Sequence, residues 1–212
     1  MSLFLATDDL SSIWKVPISI SYPTTENSSL TTPKLWLETE SSQMEPDSKP
    51  YILNVKGTGY FRVNYDEENW KNLTNFLKES DHHSIHQLNR AQLVDDIMNL
   101  ARSQKVDYDL AMDLLLYLKS ENEYIPWSAA FRTLDYVKTR MAASDENSAL
   151  FKTLILDLLE DRYLSLGFTP QDSEVHLTIL SRMDASSWMC ELDYEDCVNN
   201  AQTFFQQWMV NK

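Results

Sequence analysis

YILNVKGTGYFRVNYDEENW, residues 51–70, is where the hydrophobic pattern of the chain changes period. Phe61, Val63 and Tyr65 fall on one side of an extended segment and Tyr60, Arg62 and Asn64 on the other, because strand side chains alternate. Leu53 and Val55 alternate in the same way ahead of it. Between these runs, Lys56-Gly57-Thr58-Gly59 holds two of the three glycines of the chain, and glycine supplies the positive φ of tight turns. The expectation is a β-hairpin. Asp66 then offers a side-chain acceptor to the open amides of a first helical turn, with Glu67 and Glu68 placed against the positive end of the helix dipole. The segment therefore reads as a joint between a strand-bearing part, residues 1–66, and a helical part, residues 67–212.

Upstream, Trp14, Val16, Ile18, Ile20 and Tyr22 alternate with Lys15, Pro17, Ser19 and Ser21, the pattern of one half-buried strand. Pro17 has no amide hydrogen and argues for an edge strand or a face of the ladder without a partner. Leu35 to Leu37 adds a short strand, and the polar segments 23–32 and 41–50 read as connections. Four or five strands suffice for a small antiparallel sheet or part of a sandwich.

Downstream the period becomes helical, with Trp70, Leu73, Phe76 and Leu77 first. Asn89 and Gln92 have the spacing of a capping-box variant ahead of Ala91, Val94, Ile97, Met98 and Ala101. Asp107 caps the next helix, whose stripe is Leu110, Ala111, Leu114, Leu115 and Leu118. Pro126 fits a first helical turn before Trp127, Phe131, Leu134, Val137 and Met141. Leu150, Phe151, Leu154, Leu158 and Leu159 form a fifth helix ending near Gly167 and Pro170. Val175, Ile179, Leu180 and Met183 suggest a sixth, and Val198, Ala201, Phe204, Phe205 and Trp208 a seventh. The chain as a whole is α+β: an N-terminal antiparallel β-sandwich domain followed by an all-α antiparallel helical array, solenoid-like, without a strict repeat. The apolar face of the last helix needs a neighbour, which reads as a truncated array.

Charge excludes some functions. Eighteen basic against 32 acidic side chains give a net charge of −14, which repels nucleic acid and anionic membrane surfaces. No apolar run of about 18 residues is present to span a bilayer, and Met1-Ser2-Leu3 opens no signal peptide. Asn27-Ser28-Ser29 and Asn72-Leu73-Thr74 fit the N-glycosylation pattern. Cys190 and Cys197 lie seven apart with no nearby histidine to complete a zinc site, and are read as a local disulfide in preference to free thiols. Two acceptor patterns and a bridge together tilt the compartment toward extracellular.

Catalytic constellations are scarce. His82, His83 and His86 are the one cluster resembling a metal site, but His83 stands where a His-Glu-x-x-His motif carries its general base, so they are read as exposed loop histidines. Gly57-Thr58-Gly59 is no dinucleotide fingerprint, because Arg62 occupies the third glycine position. No Gly-x-Ser-x-Gly elbow occurs, and the acidic neighbours of the cysteines disfavour a thiolate. Asp95-Asp96 and Glu67-Glu68 are adjacent on helices and point about 100° apart, so they read as a solvated face, one aspartate being free to pair with Arg62 or Arg90.

The hairpin-to-helix segment, together with LNRAQLVDDIMNLAR at 88–102 and YLKSENEYIPWSAAF at 117–131, closely resembles the region joining the β-sandwich and helical domains of aminopeptidase N-like zinc peptidases. Phe4-Leu5-Ala6 and Trp14-Lys15-Val16-Pro17-Ile18 resemble the opening strands of that sandwich, and Trp188-Met189-Cys190 with Cys197 and Phe204-Phe205-Gln206-Gln207-Trp208 resembles a helix pair carrying a local Cys-Cys bridge. Asp193 departs from the glycine common between those cysteines. The resemblance implies removal of N-terminal residues from peptides by a zinc-bound water, with one glutamate as base and another binding the free amine. None of that apparatus is encoded here, so no catalytic or metal-binding residue carries over and this segment holds no cofactor of its own. In relatives the zinc site precedes this region, and the helical domain covers the catalytic cleft. The implied partners are the catalytic domain and remaining helices of a parent enzyme and its peptide substrates, at the extracellular face of the plasma membrane or secreted. The joint residues Gly57, Gly59, Tyr60, Arg62, Asp66 and Arg90 are expected to set the angle between the two domains. The alternatives are a protein-binding receptor surface of a membrane aminopeptidase and an unrelated helical scaffold.

Overall fold

A computed structural model describes residues 2–4, 14–23, 30–39, 41–47, 49–79 and 82–210. Asn27, Leu5 and Ala6, which figured in the sequence reading, lie outside the described residues. The chain divides into two compact units, Met1–Leu115 and Leu116–Lys212. The expected boundary after residue 66 falls inside the first.

Among the described residues the first unit carries six short strands: β1 Ser2–Phe4, β2 Val16–Ile18, β3 Ile20–Ser21, β4 Leu35–Leu37, β5 Ser41–Gln43 and β6 Ile52–Leu53. Among the described residues they pair antiparallel as β1 with β5, β2 with β4, and β3 with β6. The long strand expected over residues 14–22 is broken at Ser19. Its hydroxyl accepts a hydrogen bond from the Val55 amide at 2.9 Å and its carbonyl one from the Asn54 amide at 3.1 Å, so both Ser19 and Ser21 are buried and the alternation fails. A polar side chain goes inside when a backbone donor waits there for it.

Three helices complete this unit: α1 Glu67–Lys78, α2 Gln87–Arg102 and α3 Tyr108–Leu115. Asp66 caps α1 as its sequence predicts, Oδ1 accepting from the Asn69 amide at 2.8 Å, with Glu67 and Glu68 in the first turn. In α2, by contrast, Asn89 is not the cap. The helix begins earlier, at His86, whose Nδ1 accepts from the Leu88 amide at 3.2 Å, because the Asn89 side chain is engaged elsewhere. The core joins Ile18, Leu37, Ile52, Trp70, Leu73, Val94, Ile97 and Leu114, each at most 3 % exposed.

The second unit opens with a 3-10 turn at Leu116–Ser120 and continues with α4 Tyr124–Met141, α5 Asp145–Leu166, α6 His176–Glu191 and α7 Glu195–Val210. Pro126 lies in the first turn of α4, and Gly167 ends α5 at φ 65°, a backbone conformation other side chains resist. Trp127, Phe131 and Trp188 stack in succession at 5.4 Å centroid spacing, tying α4 to α6. The stripe expected on α6 is misplaced: Val175 and Met183 are exposed, while Ser181, Arg182, Ala185, Trp188 and Met189 are buried. On α7 only Cys197 is buried, and Phe204, Phe205 and Trp208 are exposed.

Candidate functional site

The expected hairpin over residues 53–65 does not form. β6 ends at Leu53, Asn54 takes the left-handed conformation (φ 55°, ψ 53°), and Val55–Gly57 make a 3-10 turn. Asparagine tolerates that region because its short side chain bonds locally. Here Asn54 Oδ1 accepts from the Gly59 amide at 2.7 Å, and Nδ2 donates to the carbonyls of Gly59 and Phe61 at 2.9 and 3.1 Å. One buried side chain thus satisfies backbone groups that a hairpin would have paired in a ladder, and the chain bulges into a loop. Residues 61–65 form no strand but keep the expected sidedness, Val63 and Tyr65 buried, Phe61 half-buried, and Arg62 and Asn64 exposed.

That loop is held by side chains of the helices. On α2, Asn89, Gln92 and Asp96 lie three and four residues apart and face one way. The Lys56 amide donates to Asn89 Oδ1 at 2.5 Å, Gln92 Nε2 donates to the Leu53 carbonyl at 3.1 Å, and the Val63 amide donates to Asp96 Oδ2 at 3.1 Å. On α1, Asn69 exchanges two hydrogen bonds with the Tyr51 backbone, at 3.2 and 3.0 Å. Tyr65 Oη accepts from the Leu53 amide at 3.0 Å, and its ring meets Tyr51 and Trp70 edge-on at 5.8 and 4.9 Å. Trp70 Nε1 donates to Asn64 Oδ1 at 3.0 Å. Residues 51–96 therefore form a polar clamp in which a segment without a strand partner has its amides taken by side chains.

The electrostatics follow from burial. Asp96 is only 3 % exposed, and desolvation pushes its carboxyl up to about 7 although the Val63 amide, Gln92 and the Arg62 charge pull the other way. The reading of Asp95-Asp96 as one solvated face is corrected: Asp96 points inward to the Val63 amide, while the half-exposed Asp95 pairs with Arg62 at 2.9 Å. Burial likewise raises Tyr65, and raises Tyr51 to about 12, with Asp66 adding to the effect.

Of the expected joint residues, the clamp uses some. Gly57 stands at φ 63° in the 3-10 turn, whereas Gly59 is outside the left-handed region and instead lacks room, an added Cβ falling 2.2 Å from Phe61 Cε1. Arg62 pairs with α2 and Asp66 caps α1. Tyr60 is fully exposed. Arg90 sits apart from the loop, buried, with Nη1 donating to the carbonyls of Ile85 and, at 3.5 Å, His82, so that it closes the turn ahead of α2. Asn54, Asn69, Asn89, Gln92 and Asp96 carry most of the clamp, and the signal for the last three was their shared helical face.

The histidines are not three exposed loop residues. His82 is 3 % exposed in a 3-10 turn and its ring lies 4.2 Å from that of His83, while His86 is spent as a helix cap, its pKa lowered by burial and by Lys56 and Arg90. Among the described residues no group of three or more His, Cys, Asp or Glu is placed to hold a metal ion. Cys190 and Cys197 form a disulfide. Asn72 lies half-buried within α1, and Thr74 of the same pattern is 1 % exposed. No helix among the described residues is long and apolar enough to cross a membrane.

Residues 50–212 match the family described as the ERAP1-like C-terminal domain, and the chain belongs to that family. It is 38 % identical over 212 residues to an aminopeptidase N from Plutella xylostella, covering 97 % of this chain and 22 % of that protein. It is 32 % identical over 157 residues to a membrane alanyl aminopeptidase from Manduca sexta, covering 74 % of this chain and 16 % of that protein. Aminopeptidase N from Homo sapiens is 34 % identical over 163 residues, covering 76 % and 17 %. The chain thus spans about a fifth of the length of the curated relatives it matches.

Proposed function

We propose that this chain is a non-catalytic, C-terminal-region segment of a zinc aminopeptidase that removes N-terminal residues from peptides, and that it caps and shapes the substrate chamber of that enzyme. The observation that carries the reading is membership of residues 50–212 in the ERAP1-like C-terminal domain family, within a chain about a fifth as long as its aminopeptidase-named relatives. In this reading zinc belongs to the catalytic domain of the parent, and the aminopeptidase names of the relatives are what supports it. The strand-bearing residues upstream of Asp66 are assigned to the sandwich domain and the helices to the capping domain. The parent is placed at the extracellular face of the plasma membrane, and relatives named membrane alanyl aminopeptidase support the membrane part of that reading.

In this reading the clamp contributes rigidity. Each buried amide of residues 51–63 that finds a side-chain acceptor avoids a penalty of roughly 1–3 kcal/mol, so the course of the loop from β6 to α1 is strongly specified. The test is made in the full-length parent. Loosening the clamp with Asn54→Ala is expected to leave zinc content unchanged while altering the ratio of kcat/KM between an aminoacyl anilide and a long peptide. An unchanged ratio, or equal loss on both substrates, would count against a chamber-shaping role.

A further inference from the structure

A cleft of about 650 Å3 in the second unit is lined by the last turn of α5, the start of α6 and the connection joining them. Two arginines face it and are used differently. Arg182, 5 % exposed, is fully engaged: Nη1 donates to Glu174 Oε2 at 2.6 Å, Nη2 to Glu174 Oε1, and Nε to the carbonyls of Leu166 and Gly167 at 3.1 Å each. Its charge is matched and it closes the C-terminal end of α5, where carbonyls are otherwise left open. Arg162 is half-buried and forms no ion pair among the described residues. Nη2 donates to Ser181 Oγ at 3.1 Å, and the enclosed Nε finds no acceptor among the described protein atoms. Burial holds its guanidinium below the usual value, against the fields of Glu123 and Glu121, which raise it.

Carboxylates are abundant in this chain, 32 acidic side chains against 18 basic, yet among the described residues none forms an ion pair with Arg162, whose one side-chain partner is Ser181. A guanidinium removed from water without a contact anion is unfavourable, and its planar fork is shaped to receive a carboxylate in two parallel hydrogen bonds. We propose that the cleft binds a small monovalent carboxylate, with Arg162 as the cation that recognises it. The Arg182–Glu174 pair is neutral as a unit, so the positive charge in the cleft is that of Arg162, which lies in the fields of Glu121 and Glu123. The fields of Glu121 and Glu123 oppose a dianion such as phosphate more than a monoanion. Asn122, Gln171 and Thr178 on the walls supply amide and hydroxyl groups for orientation. This site stands on its own geometry and does not depend on the peptidase reading.

The test is a 15N NMR titration of the 212-residue chain, following the Arg162 Nε–Hε resonance and the amides of Gly167 and Thr178, with acetate, N-acetylglycinate and inorganic phosphate as probes. Saturable shifts with either carboxylate, and weaker binding of phosphate, are expected. The tighter of the two carboxylates tells a free acid from one carried on a peptide. Arg162→Gln is expected to weaken binding about tenfold or more, the effect of losing a charge-assisted hydrogen bond. Arg162→Lys, which keeps the charge and loses the fork, is expected to bind with intermediate affinity and serves where Arg162→Gln does not fold. Linear, unsaturable shifts in the native chain, equal affinity in Arg162→Gln, or phosphate binding as tightly as the carboxylates would overturn the proposal.

Discussion

Replacing Asp96 by asparagine should change the pH dependence of stability in a direction opposite to that of most carboxylates. Asp96 is 3 % exposed, and its carboxyl is pushed from 3.8 up to about 7 by desolvation, so between those values the native chain retains a proton that the unfolded chain has released. Stability rises with pH only where the unfolded state binds more protons, and here it binds fewer. The contribution of this group is therefore full below about pH 4 and is lost as pH rises through about 7. A shift of roughly three units corresponds to about 4 kcal/mol at about 1.4 kcal/mol per unit. Asparagine keeps an acceptor for the Val63 amide, which Asp96 Oδ2 receives at 3.1 Å, without a charge to bury. Urea unfolding midpoints of the native chain and Asp96→Asn, measured from pH 4 to 9, should converge at the acid end. Above pH 8 the variant should be more stable by a few kcal/mol, reduced by about 1 kcal/mol for imperfect hydrogen bonding. Titrations elsewhere cancel in the difference. A difference between the two curves that does not vary with pH would show that Asp96 titrates alike in folded and unfolded chains, and would refute its burial as the cause.

Asn54→Ala should lower unfolding stability by about 2–4 kcal/mol, from the loss of three side-chain hydrogen bonds to Gly59 and Phe61 and the strain of alanine at φ 55°. Asn54→Gly, which keeps the backbone conformation, should cost less; a urea midpoint in Asn54→Ala matching the native chain would mean the loop is held by other contacts. Reducing the Cys190–Cys197 disulfide, which closes a separation of 7 residues, should cost about 2–3 kcal/mol in the second unit, seen as a lower thermal midpoint with reductant present. No change in that midpoint would show that the α6–α7 corner is fixed by packing alone.

The helices were legible because their apolar stripes are long and repeat at 3.6 residues, and because Asp66, Pro126 and Gly167 mark their ends by local chemistry. The clamp was not. Lys56-Gly57-Thr58-Gly59 has hairpin composition, but the hairpin loses to a loop because Asn54, just upstream of it, supplies the bonds a ladder would have made. Asn89 and Gln92 matched a capping box, a local signal, whereas both are taken by backbone more than 30 residues earlier, at Lys56 and Leu53. Local patterns do not register such long-range competition. The stripe of α6 failed for a related reason: Arg182 goes inward because Glu174 and the end of α5 receive it, leaving Met183 outside. Arg62 with Asp95 was anticipated as one of the open pairings, since the two carry opposite charge.

The central claim, that this chain contributes architecture and not chemistry to an aminopeptidase, is tested most directly by turnover. The purified 212-residue chain, equilibrated with zinc, is assayed for release of the chromophore from aminoacyl anilides, with bound metal measured after dialysis. The account predicts no turnover and no stoichiometric zinc. Zinc-dependent release of the N-terminal residue by this chain alone would contradict it.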